Sequence, residues 1–133
     1  MVRSVLMAIA FLICPGPAFA DAKQDCHTGS GEVAIRGCTE LISRNPKDGG
    51  AHHIRGNAYC AKKDYDRAIA DYNRAIELNP KIAILFTARG MAYMQKGDYD
   101  RTIADDSRAI ELDPKSALTF NERANAYGGE ERP

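Results

Sequence analysis

A chain of 133 residues has room for one domain, and its 18 basic and 18 acidic residues cancel. With charge balanced and interspersed, there is no electrostatic footprint for nucleic acid or an anionic membrane. The first twenty residues read as a secretory leader. Arg3 gives a short basic start, Val5 to Ile13 are apolar, and Pro15-Gly16-Pro17 break any helix. Ala18-Phe19-Ala20 then presents the small-x-small pattern of a cleavage site before Asp21. The apolar run is about half of the roughly 20 residues a spanning helix needs, which argues against an uncleaved anchor. Bulky Ile13 before Cys14 argues against a lipoprotein signal. The expectation is a periplasmic or secreted protein, free of the membrane after cleavage.

Three cysteines remain beyond the leader: Cys26, Cys38 and Cys60. In an oxidising compartment an odd count gives one disulfide and one free thiol, or intermolecular pairing. The run Thr28-Gly29-Ser30-Gly31 between the first two can fold the segment back, so a Cys26–Cys38 bond is expected; two unpaired thiols are the alternative. Cys60 is expected as a small, half-buried residue.

From residue 49 the chain repeats itself. Residues 49–82 and 83–116 are identical at 19 of 34 positions without a gap. Arg55-Gly56-x-Ala58-Tyr59 returns as Arg89-Gly90-x-Ala92-Tyr93, and Asp64-Tyr65-Asp66-Arg67 as Asp98 to Arg101. Arg74 to Leu78 returns as Arg108 to Leu112, and Pro80-Lys81 as Pro114-Lys115. Gly56 with Ala68, and Gly90 with Thr102, are small residues suited to a close crossing of two antiparallel helices. Tyr59, Ile69, Tyr72, Ala75, Ile76 and Leu78 supply apolar surface around the first crossing. Asp64 and Asp98 precede a new periodic run as N-caps. Gly97 suits the preceding turn, whereas Lys63 carries no such signal. Pro80 and Pro114 stop each second helix.

This 34-residue pattern of Gly-x-x-Tyr, Ala, aromatic and Pro resembles the tetratricopeptide repeat, and exported bacterial members look like the nearest relatives. The resemblance spans residues 31–127 and implies an all-α fold, a short right-handed α-solenoid of antiparallel helix hairpins. About six helices are expected, near 31–44, 49–62, 65–78, 83–96, 99–112 and 117–127. The organisation expected is a leader (1–20), a leading segment holding a second helix without a recognisable first one (21–48), two whole units (49–82 and 83–116) and a partial unit (117–133). The third pair carries Thr102 and Asp106 where its predecessor has Ala68 and Tyr72. It is expected to be the weaker one, unless Asp106 pairs with Arg123.

Arg55, Arg89 and Arg123 stand where the repeat family has Leu. Asp71 and Asp105 sit at a matching point on each second helix, so internal ion pairs Arg55–Asp71 and Arg89–Asp105 are expected. His27, His52 and His53 raise a zinc question. Adjacent His52 and His53 point about 100° apart on a helix, and no Cys-x-x-Cys or His-x-x-x-His accompanies them, so neither metal nor cofactor is expected. His52 aligns with Phe86 and Phe120, which gives it a packing role.

The resemblance implies a non-enzymatic protein–protein interaction module, holding a peptide or protein in a concave groove lined by the first helices. Projection of the helical pattern puts His53, Asn57 and Cys60 there from one unit, Thr87, Met91 and Met94 from the next, and Asn121 and Asn125 from the last. Side-chain amides can bond an extended backbone, and methionines give an adaptable apolar floor. His53 and Asn121 stand where carboxylate-clamp relatives carry lysine, so recognition of a C-terminal carboxylate is not expected. Two rival readings are a truncated copy of a longer array with a structural role, and a thiol- or metal-dependent hydrolase using Cys60 and a histidine.

Overall fold

The computed structural model describes the backbone of residues 17–130, and the side chains of 20–116 and 123–129. The leader assigned to residues 1–20 therefore lies outside the described residues as far as residue 16. Seven helices follow: α1 (Pro17–Thr28), α2 (Glu32–Arg44), α3 (Gly49–Ala61), α4 (Tyr65–Leu78), α5 (Ala83–Gln95), α6 (Tyr99–Leu112) and α7 (Ala117–Glu130). They pack as consecutive hairpins, α1 on α2, α3 on α4, α5 on α6, with α7 on α6. The fold is an all-α solenoid.

Repetition of sequence becomes repetition of contact. The Asp64 and Asp98 side chains accept the backbone N–H of Arg67 and Arg101, each at 3.2 Å, and start α4 and α6. Asp48 does the same for α3 through the N–H of Ala51, at 2.9 Å. At the α3–α4 crossing a Cβ on Gly56 would come within 2.6 Å of the Tyr72 ring, so only glycine fits beneath it. Tyr72, Ala68, Ile69 and Ala92 form the buried centre around that crossing. The turn before α4 runs through a positive φ at Lys63, 62°, matching the 76° of Gly97 one unit later. The local cost of a non-glycine there is offset by the hairpin packing on both sides.

The leading segment departs from expectation. It does contain a first helix, α1, which packs along α2 and makes seven helices among the described residues where about six were expected. The Gly-x-x-Tyr signature is missing because Ala22, Asp25 and Cys26 stand 34 residues before Gly56, Tyr59 and Cys60. Cys26 and Cys38 are joined across α1 and α2, with Cα atoms 4.6 Å apart. Subtracting 34 from Cys60 and Tyr72 gives Cys26 and Cys38. The Tyr72 hydroxyl lies 3.5 Å from Cys60 Sγ, so one inter-helix contact is built twice, by a bond and by a ring. A small cluster of Ala22, Cys26, Cys38, Leu41 and Ala51 surrounds the bond.

Arginine links the units. Arg55 holds Asp71 with two donors, Nε to Oδ2 at 2.8 Å and Nη2 to Oδ1 at 2.7 Å, and reaches Thr39 of α2 at 3.0 Å. Arg89 holds Asp105 at the same two distances and reaches Asn73 of α4 at 2.7 Å. Each guanidinium thus ties its own hairpin together and fastens it to the one before. Lys62–Glu32 and Lys96–Asp66 add a second ion-pair rung, again in one register. His52 is buried between Asp71 Oδ1 and the Pro46 carbonyl, 3.2 Å from each, a polar counterpart of buried Phe86. In the third pair Thr102 and Asp106 are fully buried, and the Thr102 hydroxyl is 3.1 Å from the Gly90 carbonyl and 2.9 Å from that of Asp98.

Candidate functional site

Among the described residues, α1, α3, α5 and α7 approach one another in succession, whereas α2, α4 and α6 do not meet. The array therefore curves with the first helices on its inner side. Lys23, Asn57, Met91 and Asn125 recur at 34-residue intervals on those helices, and all four are exposed. Regular stacking sets them in a row across the inner face.

The two sides of Asn57 differ. Its Oδ1 accepts the Tyr72 hydroxyl at 2.8 Å, and Nδ2 lies 3.4 Å from His53 Nε2. The carbonyl is therefore committed to the protein and one amide N–H faces His53, which leaves the second N–H to meet a ligand. The Tyr72 ring also lies 6.1 Å from the His53 ring, tilted by 49°. Burial holds the His53 imidazole below its ordinary pKa, which keeps it neutral at neutral pH. Burial likewise pushes the Cys60 thiol up, partly opposed by the Tyr72 hydrogen bond. A thiol shifted in that direction is a poor nucleophile.

Met91 is 47% exposed and Met94 half-buried. Thr87 corrects the projected groove: it is 4% exposed, and its hydroxyl reaches back to the Ala83 carbonyl at 3.5 Å. A side chain this buried packs inside the array instead of facing a ligand. The Asn121 side chain lies outside the described residues. A residue missed in the sequence is Ile84, 53% exposed and two helical turns before Met91 on α5. Its counterpart on α3 is Gly50, where an added Cβ would meet nothing nearer than the Asp48 carboxylate at 3.4 Å. The signal was present, since an isoleucine and a methionine seven apart share one face of a helix. Among the described residues no three His, Cys, Asp or Glu side chains gather as a metal site.

Comparison with known proteins agrees with this architecture. Residues 56–97 match the family described as TPR repeat, and residues 83–116 the one described as tetratricopeptide repeat. No curated protein is significantly similar in sequence. Among solved structures, the first TPR domain of Spaghetti (RPAP3) bound to HSP90 peptide SRMEEVD superposes with a TM-score of 0.78 at 22% identity, over 85% of this chain and 90% of that one. The second TPR domain of human RPAP3, in complex with HSP70 peptide SGPTIEEVD, gives 0.70 at 24% identity, over 72% and 80%. The Arabidopsis OM64 TPR domain gives 0.71 at 21% identity, over 84% and 87%.

Proposed function

We propose that this chain, which belongs to the tetratricopeptide repeat family, is a non-enzymatic interaction module that holds an extended peptide or protein segment along its inner groove. What supports this is that Asn57, Met91 and Asn125 are exposed at 34-residue intervals on α3, α5 and α7, helices that approach one another in succession. Amides at both ends of the row meet a backbone, and the thioether between them meets a side chain. The RPAP3 domains that share the fold were solved with peptides, which supports the class of ligand though not its sequence. The Cys60 thiol faces the Tyr72 hydroxyl and is held protonated, which counts against thiol hydrolysis.

Each groove amide lost should weaken binding by about 1 kcal/mol, roughly fivefold, per hydrogen bond. The test is calorimetry of a partner captured from periplasmic extract, against the wild type and an Asn57→Ala/Asn125→Ala chain of unchanged helicity. Arg74→Ala, which removes an exposed arginine of α4 paired with Glu77, is the control and should bind normally. Unchanged affinity in the double variant would place binding on another face.

Export is part of the same reading. Arg3, the apolar run and Ala18-Phe19-Ala20 support cleavage before Asp21. No helix of the described residues is long and apolar enough to cross a membrane. Mass spectrometry of the protein recovered from periplasm, without reductant, should show an N-terminus at Asp21, a peptide linking Cys26 to Cys38, and Cys60 as a thiol. Retention of Met1, or alkylation of both Cys26 and Cys38, would remove export or the bond respectively.

A further inference from the structure

The inner face differs from the rest of the molecule in its charge. Arg55 and Arg89 are the sole Lys, Arg, Asp or Glu residues of α3 and α5, whereas α4 carries five such residues and α6 six. Neither arginine is available to a ligand: Arg55 grips Asp71 and Thr39, and Arg89 grips Asp105 and Asn73. The titratable groups left on this face, His53 and Cys60, are both kept in their neutral forms by burial. Large apolar groups are meanwhile left in water on one helix, α5, with Ile84 at 53% and Met91 at 47% exposure. The charged member of the row, Lys23, stands on α1 at its far end.

From this we infer that the groove's occupant is an uncharged extended segment with a large aliphatic side chain at its centre, seated between Ile84 and Met91, with a backbone carbonyl on the Asn57 amide. The inference rests on the groove reading above and specifies its ligand. Three physical facts set the class. A carboxylate brought onto the α3–α5 face loses water and finds no free cation there. An aliphatic side chain covers two residues that otherwise stay exposed. The Asn57 carbonyl is already occupied by Tyr72, so this amide donates, and a main-chain carbonyl is the acceptor an uncharged segment offers. An acidic C-terminal peptide such as SRMEEVD, seen on the RPAP3 domain, would find both arginines of α3 and α5 already paired with aspartates.

The experiment uses the full chain and two fluorescent probe sets. One is a pool of capped, uncharged heptapeptides with leucine or isoleucine at the central position; the other is SRMEEVD. The uncharged pool should contain binders preferred over SRMEEVD by about tenfold or more. Their affinity should stay within about twofold between low salt and about 0.5 M salt, where surface charges are screened. Met91→Glu should abolish the binding and Met91→Ala weaken it several-fold, with helicity unchanged in both, while Arg74→Ala leaves it intact. Salt-sensitive preference for SRMEEVD, weakened by Asn57→Ala/Asn125→Ala, overturns the uncharged class and leaves the groove standing. Failure of every uncharged probe to bind overturns the inference. Binding of uncharged probes that ignores the Met91 and Asn57 variants overturns both the inference and the groove.

Discussion

Replacing Arg89 by alanine is expected to cost about 3–5 kcal/mol of folding stability, because it strands a buried carboxylate. Asp105 has a side chain only 8% exposed, and both its oxygens are held by the Arg89 fork at 2.7 and 2.8 Å. The same substitution also releases Asn73, so α5 loses its tie to the preceding unit as well as to its own partner helix. Arg89 is itself 21% exposed, which puts the loss toward the lower end of that range. Arg55→Ala should cost less. Asp71 Oδ1 retains the His52 Nδ1 contact at 3.2 Å, whereas the position matching His52 in the next unit is Phe86, which cannot bond Asp105. Urea unfolding of the two variants decides the matter. An Arg89→Met/Asp105→Leu chain should recover most of the loss, since an apolar pair of similar volume removes the stranded charge. If Arg89→Ala falls within about 1 kcal/mol of the wild type, or matches Arg55→Ala, the arginine is not the staple described above.

Much of the fold was legible because a repeat lets each residue be read against its counterpart. Gly56 and Gly90 mark the helix crossings, and the matching spacing of Arg55 with Asp71 and Arg89 with Asp105 marks the ion pairs. What stayed hidden were positions where the counterpart does the same work with different chemistry. Ala22 does not look like Gly56, and Cys38 does not look like Tyr72, so α1 carried no family signature. The register was nevertheless intact, and laying Cys26 and Cys38 over Cys60 and Tyr72 would have found the helix. Lys63 hid its turn for a related reason, since a lysine at a φ of 62° is set by the hairpin around it and not by its own preference. The exposure of the candidate groove residues was half legible. Helical projection identified Asn57, Met91 and Asn125 as outward residues, but it cannot tell a helix face that meets a neighbour from one that meets solvent, and so it misplaced Thr87. It likewise passed over Ile84, which is 53% exposed one heptad before Met91.

Removing the Cys26–Cys38 bond is expected to cost about 3 kcal/mol, with the loss confined to the leading hairpin. The two residues are 12 apart in sequence, and a loop of that size restricts the unfolded chain by about this amount. Within the hairpin itself, α1 has little else to hold it, since the Arg55–Thr39 and Lys62–Glu32 contacts fasten α2 and not α1 to α3. The hairpin's core cluster is Ala22, Cys26, Cys38, Leu41 and Ala51, with Ile42 and Ile54 packed against it, and the Arg36–Asp25 pair is largely in water. Exposed pairs of that kind contribute at most about 1 kcal/mol. From α3 onward the units have their own buried crossings and their own arginine staples, so they should keep their helices when α1 loosens. Hydrogen exchange with and without reductant tests this, with protection expected to fall across residues 20–44 and persist through α3–α6. A companion substitution separates the bond from mere bulk. Cys38→Tyr restores the residue type found at Tyr72, yet it should destabilise more than Cys38→Ala. In the α3–α4 hairpin that ring lies where a Cβ on Gly56 would stand 2.6 Å away, and at the matching position here Ala22 supplies that Cβ. Protection lost evenly from α1 to α6 on reduction, or a Cys38→Tyr chain more stable than Cys38→Ala, would show that the leading hairpin is held as the later ones are and not by its disulfide.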